Sequence, residues 1–300
     1  MSFKLVEKKL KSKEPIAKVR GGKQDGWYLY LDDFKFTLKN IPSEMYKDLN
    51  EKQQEEIEKA LHSGYEPDDE ELTKIFYNFK EYIKKTNCKL ILRQGGKFEY
   101  LPSMSYIERV ICCGISCSGK STWCSRYVYN WKKKKGGNSK KARPWYIVSN
   151  VDEDEVLDKL DPERLDINEL ASEGIDIEKI TDALILVDDV STIENAPVRR
   201  SIRSCVDNLL QVSRHYGTFL LITSHHIQNY HETRTQLLES NIVVLFPHNN
   251  SRCCRNYLKG YEYFTEDQIN RVMNIKSRWI ALIKHIKPQF IMTEHSVFII

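Results

Sequence analysis

Eight residues constrain this chain more than any others: Gly114-Ile115-Ser116-Cys117-Ser118-Gly119-Lys120-Ser121. The pattern is a glycine, four free positions, then glycine, lysine and a hydroxyl residue. The glycines let the backbone curl until successive N–H groups converge, where a Cβ would obstruct an anion. Arg109 to Cys113 just before it reads as a buried strand, and Lys120 to Lys132 reads as a helix. A loop between such elements gathers free amides and the positive end of the helix dipole around phosphate oxygens. Gly114 to Thr122 are therefore the candidate nucleotide-binding residues. Lys120 is expected to reach the β- and γ-phosphates, Ser121 to ligate Mg²⁺, and Thr122 to add a phosphate contact.

A phosphate loop alone only binds, and hydrolysis needs a carboxylate nearby. Leu184-Ile185-Leu186-Val187-Asp188-Asp189 supplies one, as a buried strand ending in two acids. Asp188 is the candidate Mg²⁺ partner and Asp189 the candidate base for the attacking water, with Glu194 as the alternative. Some proteins with this loop insert a further strand between these two, and Tyr146 to Ser149 is the candidate for it. Thr223-Ser224-His225-His226 ends another apolar run, and ligands of open α/β sheets sit at the carboxyl ends of strands. Ser224 or His225 is thus placed to orient water or sense the γ-phosphate. Arg214, Arg234 and Arg278 are candidates for an arginine that stabilises the transferring phosphoryl group, with Arg234 the one most readily turned toward a neighbouring subunit. No Asn-Lys-x-Asp follows to read guanine, which favours ATP.

The apolar runs 109–113, 146–149, 183–187, 219–223 and 242–246 alternate with helical stretches, among them Val198 to His215. They predict an α/β fold: a mostly parallel sheet with helices on both faces. Residues 87–300 form this expected ATPase domain. Residues 1–86 differ in texture and are expected to be a small α+β accessory region with a basic tail. It holds strands near 27–31 and 34–38, a helix from Asn50 to His62 and another to about Lys85. Leu90 to Leu92 and Phe98 to Leu101 flank Gln94-Gly95-Gly96 as an expected hairpin.

The 29% charged residues and mean hydropathy of −0.53 describe a large solvated surface, with no run long enough to span a bilayer and a cytoplasmic location expected. The eight cysteines include two adjacent pairs and no C-x-x-C, which argues for reduced thiols rather than disulfides or zinc. A net charge of +4 is mild, but Lys132 to Lys135, Lys140, Lys141 and Arg143 concentrate part of it in one connection. Such a run either neutralises nucleic-acid phosphates or is a solvated loop.

These features together resemble the packaging ATPases of large double-stranded DNA viruses, poxvirus-type relatives of the FtsK/HerA translocases. Gly114 to Thr122, Val187-Asp188-Asp189, Arg214-His215 and Thr223-Ser224-His225 carry the resemblance. So do Tyr230, Thr233-Arg234, Leu245-Phe246-Pro247 and Ser277-Arg278-Trp279, over roughly Lys89 to Ile300. Where members commonly have Gln at the end of the fourth strand, this chain has Ser224-His225. The resemblance implies a viral protein of the host cytoplasm, viral factory or virion. It further implies a homo-oligomeric ring, and ATP-driven movement of double-stranded DNA into a capsid with other viral proteins as partners. Two alternatives use the same loop: a nucleotide-gated virion or scaffold protein without motor activity, and a nucleoside or small-molecule kinase.

Overall fold

Short apolar runs separated by helical stretches do become one large sheet, and the chain order does not survive in the order of its strands. The structure is a computed structural model. It describes residues 2–32, 38, 41–63, 65–87, 89–92, 95–134, 143–225, 227, 230–247 and 251–299. From the N-terminus come β1 (Ser2–Val6), β2 (Ala17–Arg20), β3 (Tyr28–Asp32), α1 (Glu51–Ser63) and α2 (Glu70–Asn87). Next are β4 (Lys89–Ile91), β5 (Lys97–Tyr100), β6 (Arg109–Cys113), α3 (Lys120–Lys134), β7 (Trp145–Ser149), β8 (Glu163–Arg164) and α4 (Ile167–Glu173). Then follow β9 (Leu184–Asp188), α5 (Ala196–Val212), β10 (Phe219–Ser224), α6 (Tyr230–Glu239) and β11 (Ile242–Leu245). The chain closes with α7 (Ser251–Gly260), α8 (Glu266–Met273), β12 (Ile280–Ile283), β13 (Phe290–Thr293) and β14 (Ser296–Ile299).

The large sheet runs β4-β14-β13-β12-β11-β6-β10-β9-β7-β8. From β11 to β8 every pairing is parallel, and from β11 to β4 every pairing is antiparallel. Alternation along β6 explains why its run after Arg109 is unbroken by polar residues. Val110 and Cys112 face one core with Trp123, Tyr127 and Trp131 of α3. Ile111 and Cys113 face another with Ile202, Val206 and Leu209 of α5. A strand covered on both sides has no solvated face to mark with charge.

Three expectations need correction. The strand lying between β6 and β9 is β10, Phe219–Ser224, whereas Tyr146 to Ser149 (in β7) flanks β9 on its other side. A crossover can drop a strand on either side of its predecessor, and apolar patterning says nothing about which. Leu90 to Leu92 and Phe98 to Leu101 do not form a hairpin: β4 pairs with β14 in the large sheet, and β5 pairs with β2 in a small one. Gly96 explains the parting, since a Cβ there would lie 2.8 Å from Val19 Cγ1 and 3.0 Å from the Gly21 carbonyl. The antiparallel wing β12 to β14 has no counterpart among the strands expected from the sequence. The expected strand at 34–38 and Lys135, Lys140 and Lys141 of the basic run lie largely or wholly outside the described residues.

The small sheet has the order β1-β3-β2-β5, so it draws strands from both sides of the boundary expected at residue 86. Ala17, Val19 and Leu29 share a core with α3 and β6, and Tyr100 of β5 stacks on Tyr127 with ring centroids 6.1 Å apart. By contrast α1 and α2 bury Ile57, Leu61, Leu72 and Phe76 in a core of their own. Asn50 caps α1 reciprocally with Gln53, each backbone amide donating to the other's side chain at 3.0 Å. No helix among the described residues is long and apolar enough to cross a membrane.

Candidate active site

At the end of β6 the chain must turn within van der Waals contact of two neighbours. A Cβ on Gly114 would lie 2.7 Å from Ser118 Oγ and 2.9 Å from Phe246 Cβ, so only glycine fits. The Gly114 amide donates to the Ser224 carbonyl at 3.0 Å, which ties the loop to β10. Cys117 (φ 60°) and Gly119 (φ 108°) both take left-handed backbone, and between them the loop reverses into α3. The first turn of α3 leaves amides with no intrahelical acceptor. Lys120 is buried and folds back over the loop, its Nζ donating to the carbonyls of Gly114 (2.6 Å) and Ile115 (3.2 Å). Ser118 Oγ is buried and has no hydrogen-bond partner among the described residues.

Two strands away, β9 delivers its acids to the same edge, because β10 pairs with both strands: Ser224 lies opposite Cys113 and Ile222 opposite Val187. Thr223 is the hinge of this arrangement. Its hydroxyl donates to Asp188 Oδ1 at 2.6 Å and accepts from the Asp189 amide at 3.1 Å. Burial pushes the Asp188 carboxyl above its ordinary value, and the charges of Asp189 and Asp154 act the same way, while the Thr223 hydrogen bond opposes them. Asp189 is buried and left-handed (φ 42°). Its carboxylate accepts from Ser191 Oγ at 2.5 Å and meets His225 Nε2 as an ion pair when that ring is protonated.

The phosphate loop, Asp188, Asp189, Ser224 and His225 are thus brought to one edge. The sequence marks Thr223 only as a polar strand end. Its role becomes visible when β10 is seated between the two acidic and glycine-rich edges. Other candidates lie apart. Glu194 is exposed beyond the turn that follows Asp189. Arg214 precedes β10 and so lies toward the opposite edge of the sheet, while Arg234 is exposed in the first turns of α6. Arg278 lines a cavity of 220 Å³ that adjoins the loop of its own chain, with Cys117, Gly119, Thr122, Trp123 and Phe246. In the sequence Phe246 is only part of a family pattern; here it packs against both loop glycines.

No protein-family model matches the chain. It is 33% identical over 226 residues to the uncharacterized protein V3 of Sputnik virophage, covering 73% of this chain and 89% of that protein. Among solved structures it is similar to the pCW3 conjugation coupling protein TcpA in its monomer form with ATPγS. That match has 12% identity and TM-score 0.48, covering 71% of this chain and 67% of the other. It is also similar to B204, the DNA-packaging ATPase of Sulfolobus turreted icosahedral virus, with 14% identity and TM-score 0.42, covering 63% and 98%.

Proposed function

The chain belongs to the same family as the Sputnik virophage protein, and from that premise we propose that it is a P-loop ATPase that couples Mg-ATP hydrolysis to movement of double-stranded DNA, packaging a viral genome into capsids. The observation that carries the reading is the seating of β10 between β6 and β9, which gathers a phosphate loop and two carboxylates at one sheet edge.

The residues present fit a nucleotide and its metal. The cradle at Gly114 leaves no room for a Cβ, Ser118 holds a buried hydroxyl without a hydrogen-bond partner among the described residues, and Lys120 donates to loop carbonyls. Mg²⁺ is a hard cation that takes oxygen ligands, and Ser121 and Asp188 offer them. When bound, it neutralises charge on the β- and γ-phosphates. On this reading Ile115, Ser116 and Cys117 contribute loop amides, and Lys120 exchanges its carbonyl partners for phosphate oxygens. Asp189 takes a proton from the attacking water, held by Ser191 and His225 on its other sides. Ser224 braces the loop through its carbonyl, and the cavity beside Thr122 and Arg278 takes the base and ribose. Arg234 acts across a subunit boundary in a homo-oligomeric ring.

ATP turnover measured with and without duplex DNA tests the proposal, alongside particle size with both present. DNA-stimulated hydrolysis by an oligomer is the expected result. Tight binding without turnover points instead to a nucleotide-gated scaffold, and phosphate transfer to a nucleoside to a kinase; either would overturn it.

A further inference from the structure

The far end of α3 from the phosphate loop opens on a second feature. A cleft of 850 Å³ lies between the segment after β1, the small sheet and the last turn of α3. Lys9 and Lys11 line it from the first, Lys18 from the second and Lys133 from the third, over a floor that includes Tyr28, Leu101 and Met104. The acid that lines it, Glu14, is already saturated. It accepts from the amide of Met104 (2.6 Å), from Ser103 Oγ (3.2 Å) and Ser105 Oγ (3.4 Å), and from Lys134 Nζ (3.0 Å). Arg20, also on the rim, is paired with Glu99. Among the described residues no carboxylate is paired with Lys9, Lys11, Lys18 or Lys133. Lys18 sits 5.7 Å from the Tyr28 ring centre, a contact that leaves its charge available.

Ammonium groups gathered on a concave surface repel one another, and a shared polyanion relieves the repulsion while gaining from the focused field. The four are all lysines. A guanidinium fork selects one bidentate geometry, whereas an ammonium is a point charge that accepts a phosphate in any register. That suits a partner whose backbone must be held without reading sequence.

We propose that this cleft binds the phosphodiester backbone of duplex DNA, with Lys9, Lys11, Lys18 and Lys133 neutralising successive phosphates. The choice of DNA as the polyanion rests on the function proposed above; the cleft itself does not. Because α3 carries Lys120 at one end and Lys133 near the other, one helix of about 20 Å connects the two sites.

The test is binding of a short fluorescent duplex to the full chain by anisotropy across a salt series, without nucleotide. The triple variant Lys11→Glu/Lys18→Glu/Lys133→Glu is expected to bind about a hundredfold more weakly near 0.1 M salt. Its milder counterpart, Lys11→Gln/Lys18→Gln/Lys133→Gln, guards against misfolding and should lower the slope of log K against log salt by about 2.7. Both should keep basal ATP turnover. An unchanged slope and affinity in the glutamine triple overturns the cleft, as does failure of the unaltered chain to bind duplex. Loss of poly-glutamate binding with duplex binding intact assigns the cleft to an acidic protein and also overturns it. If the slope falls as expected but no variant or parent hydrolyses ATP, the cleft stands and the ATPase reading fails.

Discussion

The hydroxyl of Thr223 donates to Asp188 at 2.6 Å while accepting from the backbone amide of Asp189 at 3.1 Å, so one side chain on β10 holds both acids of β9. Asp188 is lifted above its ordinary value by burial and by its acidic neighbours, and this hydrogen bond, followed by the charge of Lys120, opposes its protonation. Thr223→Val keeps the shape, removes both contacts and leaves a buried amide unpaired. Hydrogen bonds to charged groups are worth about 1.5–3 kcal/mol, which corresponds to a loss of roughly 10- to 100-fold in turnover. The Mg²⁺ concentration at half-maximal rate should rise, and the acid limb of the rate profile should move to higher pH. Thr223→Ser should restore most of the activity. A valine variant with unaltered rate and Mg²⁺ dependence would show that Thr223 holds nothing of consequence.

Asp189 and His225 form a pair on the proposed water side of the site. Asp189→Asn keeps the volume and removes the proposed base, so ATP-analogue binding should persist while hydrolysis falls by about 10²- to 10⁴-fold. His225→Ala removes only a brace and should cost less, and the double variant should be no slower than Asp189→Asn alone. Single-turnover rates and analogue titration read these outcomes. Undiminished hydrolysis in Asp189→Asn would move the base elsewhere, with exposed Glu194 the next residue to change.

What was legible in the sequence follows from burial. The runs that became β6, β9, β10 and β11 are apolar between their ends because both faces are covered, and the loop after β6 is marked by the residues an anion demands. The position of β10 was not legible, since strand order is set by crossovers and packing rather than by local pattern. Nor was the wing formed by β12 to β14. Its runs are four residues long, and the turn at 284–289 interrupts them with Lys284, His285 and Lys287, so no run is long enough to stand out as a strand by apolarity alone. Glu108 was equally hidden. A lone glutamate before a strand looks exposed, yet it is fully buried, because Tyr100 and the Ser103 amide of the segment just before it and Tyr127 of α3 all donate to its carboxylate.

Among the described residues the Lys120 ammonium donates to carbonyls of its own loop and forms no ion pair. Lys120→Ala should therefore leave folding nearly intact while abolishing turnover, a fall of at least about 100-fold, because the charge is needed only when phosphate is bound. Thermal unfolding and ATP hydrolysis measured on the same sample separate the two effects. Retained hydrolysis in that variant would remove the phosphate-loop assignment on which every other proposed role depends.

Glu108 gives the fold a pH dependence of its own. Burial pushes its carboxyl from an ordinary 4.5 up to about 7, against the hydrogen bonds from Tyr100, Tyr127 and the Ser103 amide, which pull it down. An acid raised in the folded state holds its proton more tightly there than in the unfolded chain. Its contribution to stability is therefore complete below about pH 4.5 and is lost as pH rises toward about 7. The span corresponds to roughly 3 kcal/mol. His285, whose Nε2 lies 3.6 Å from Glu108, is held below its ordinary value by burial, so its contribution has the opposite sign and fades as pH falls. Comparing the protein with Glu108→Gln separates them, since His285 is present in both. The amide introduced by that substitution stays neutral at every pH. Urea unfolding across pH 5 to 8 should therefore show the parent losing about 2–3 kcal/mol relative to the variant. Parallel curves over that range would mean that Glu108 ionises at its ordinary value despite its burial.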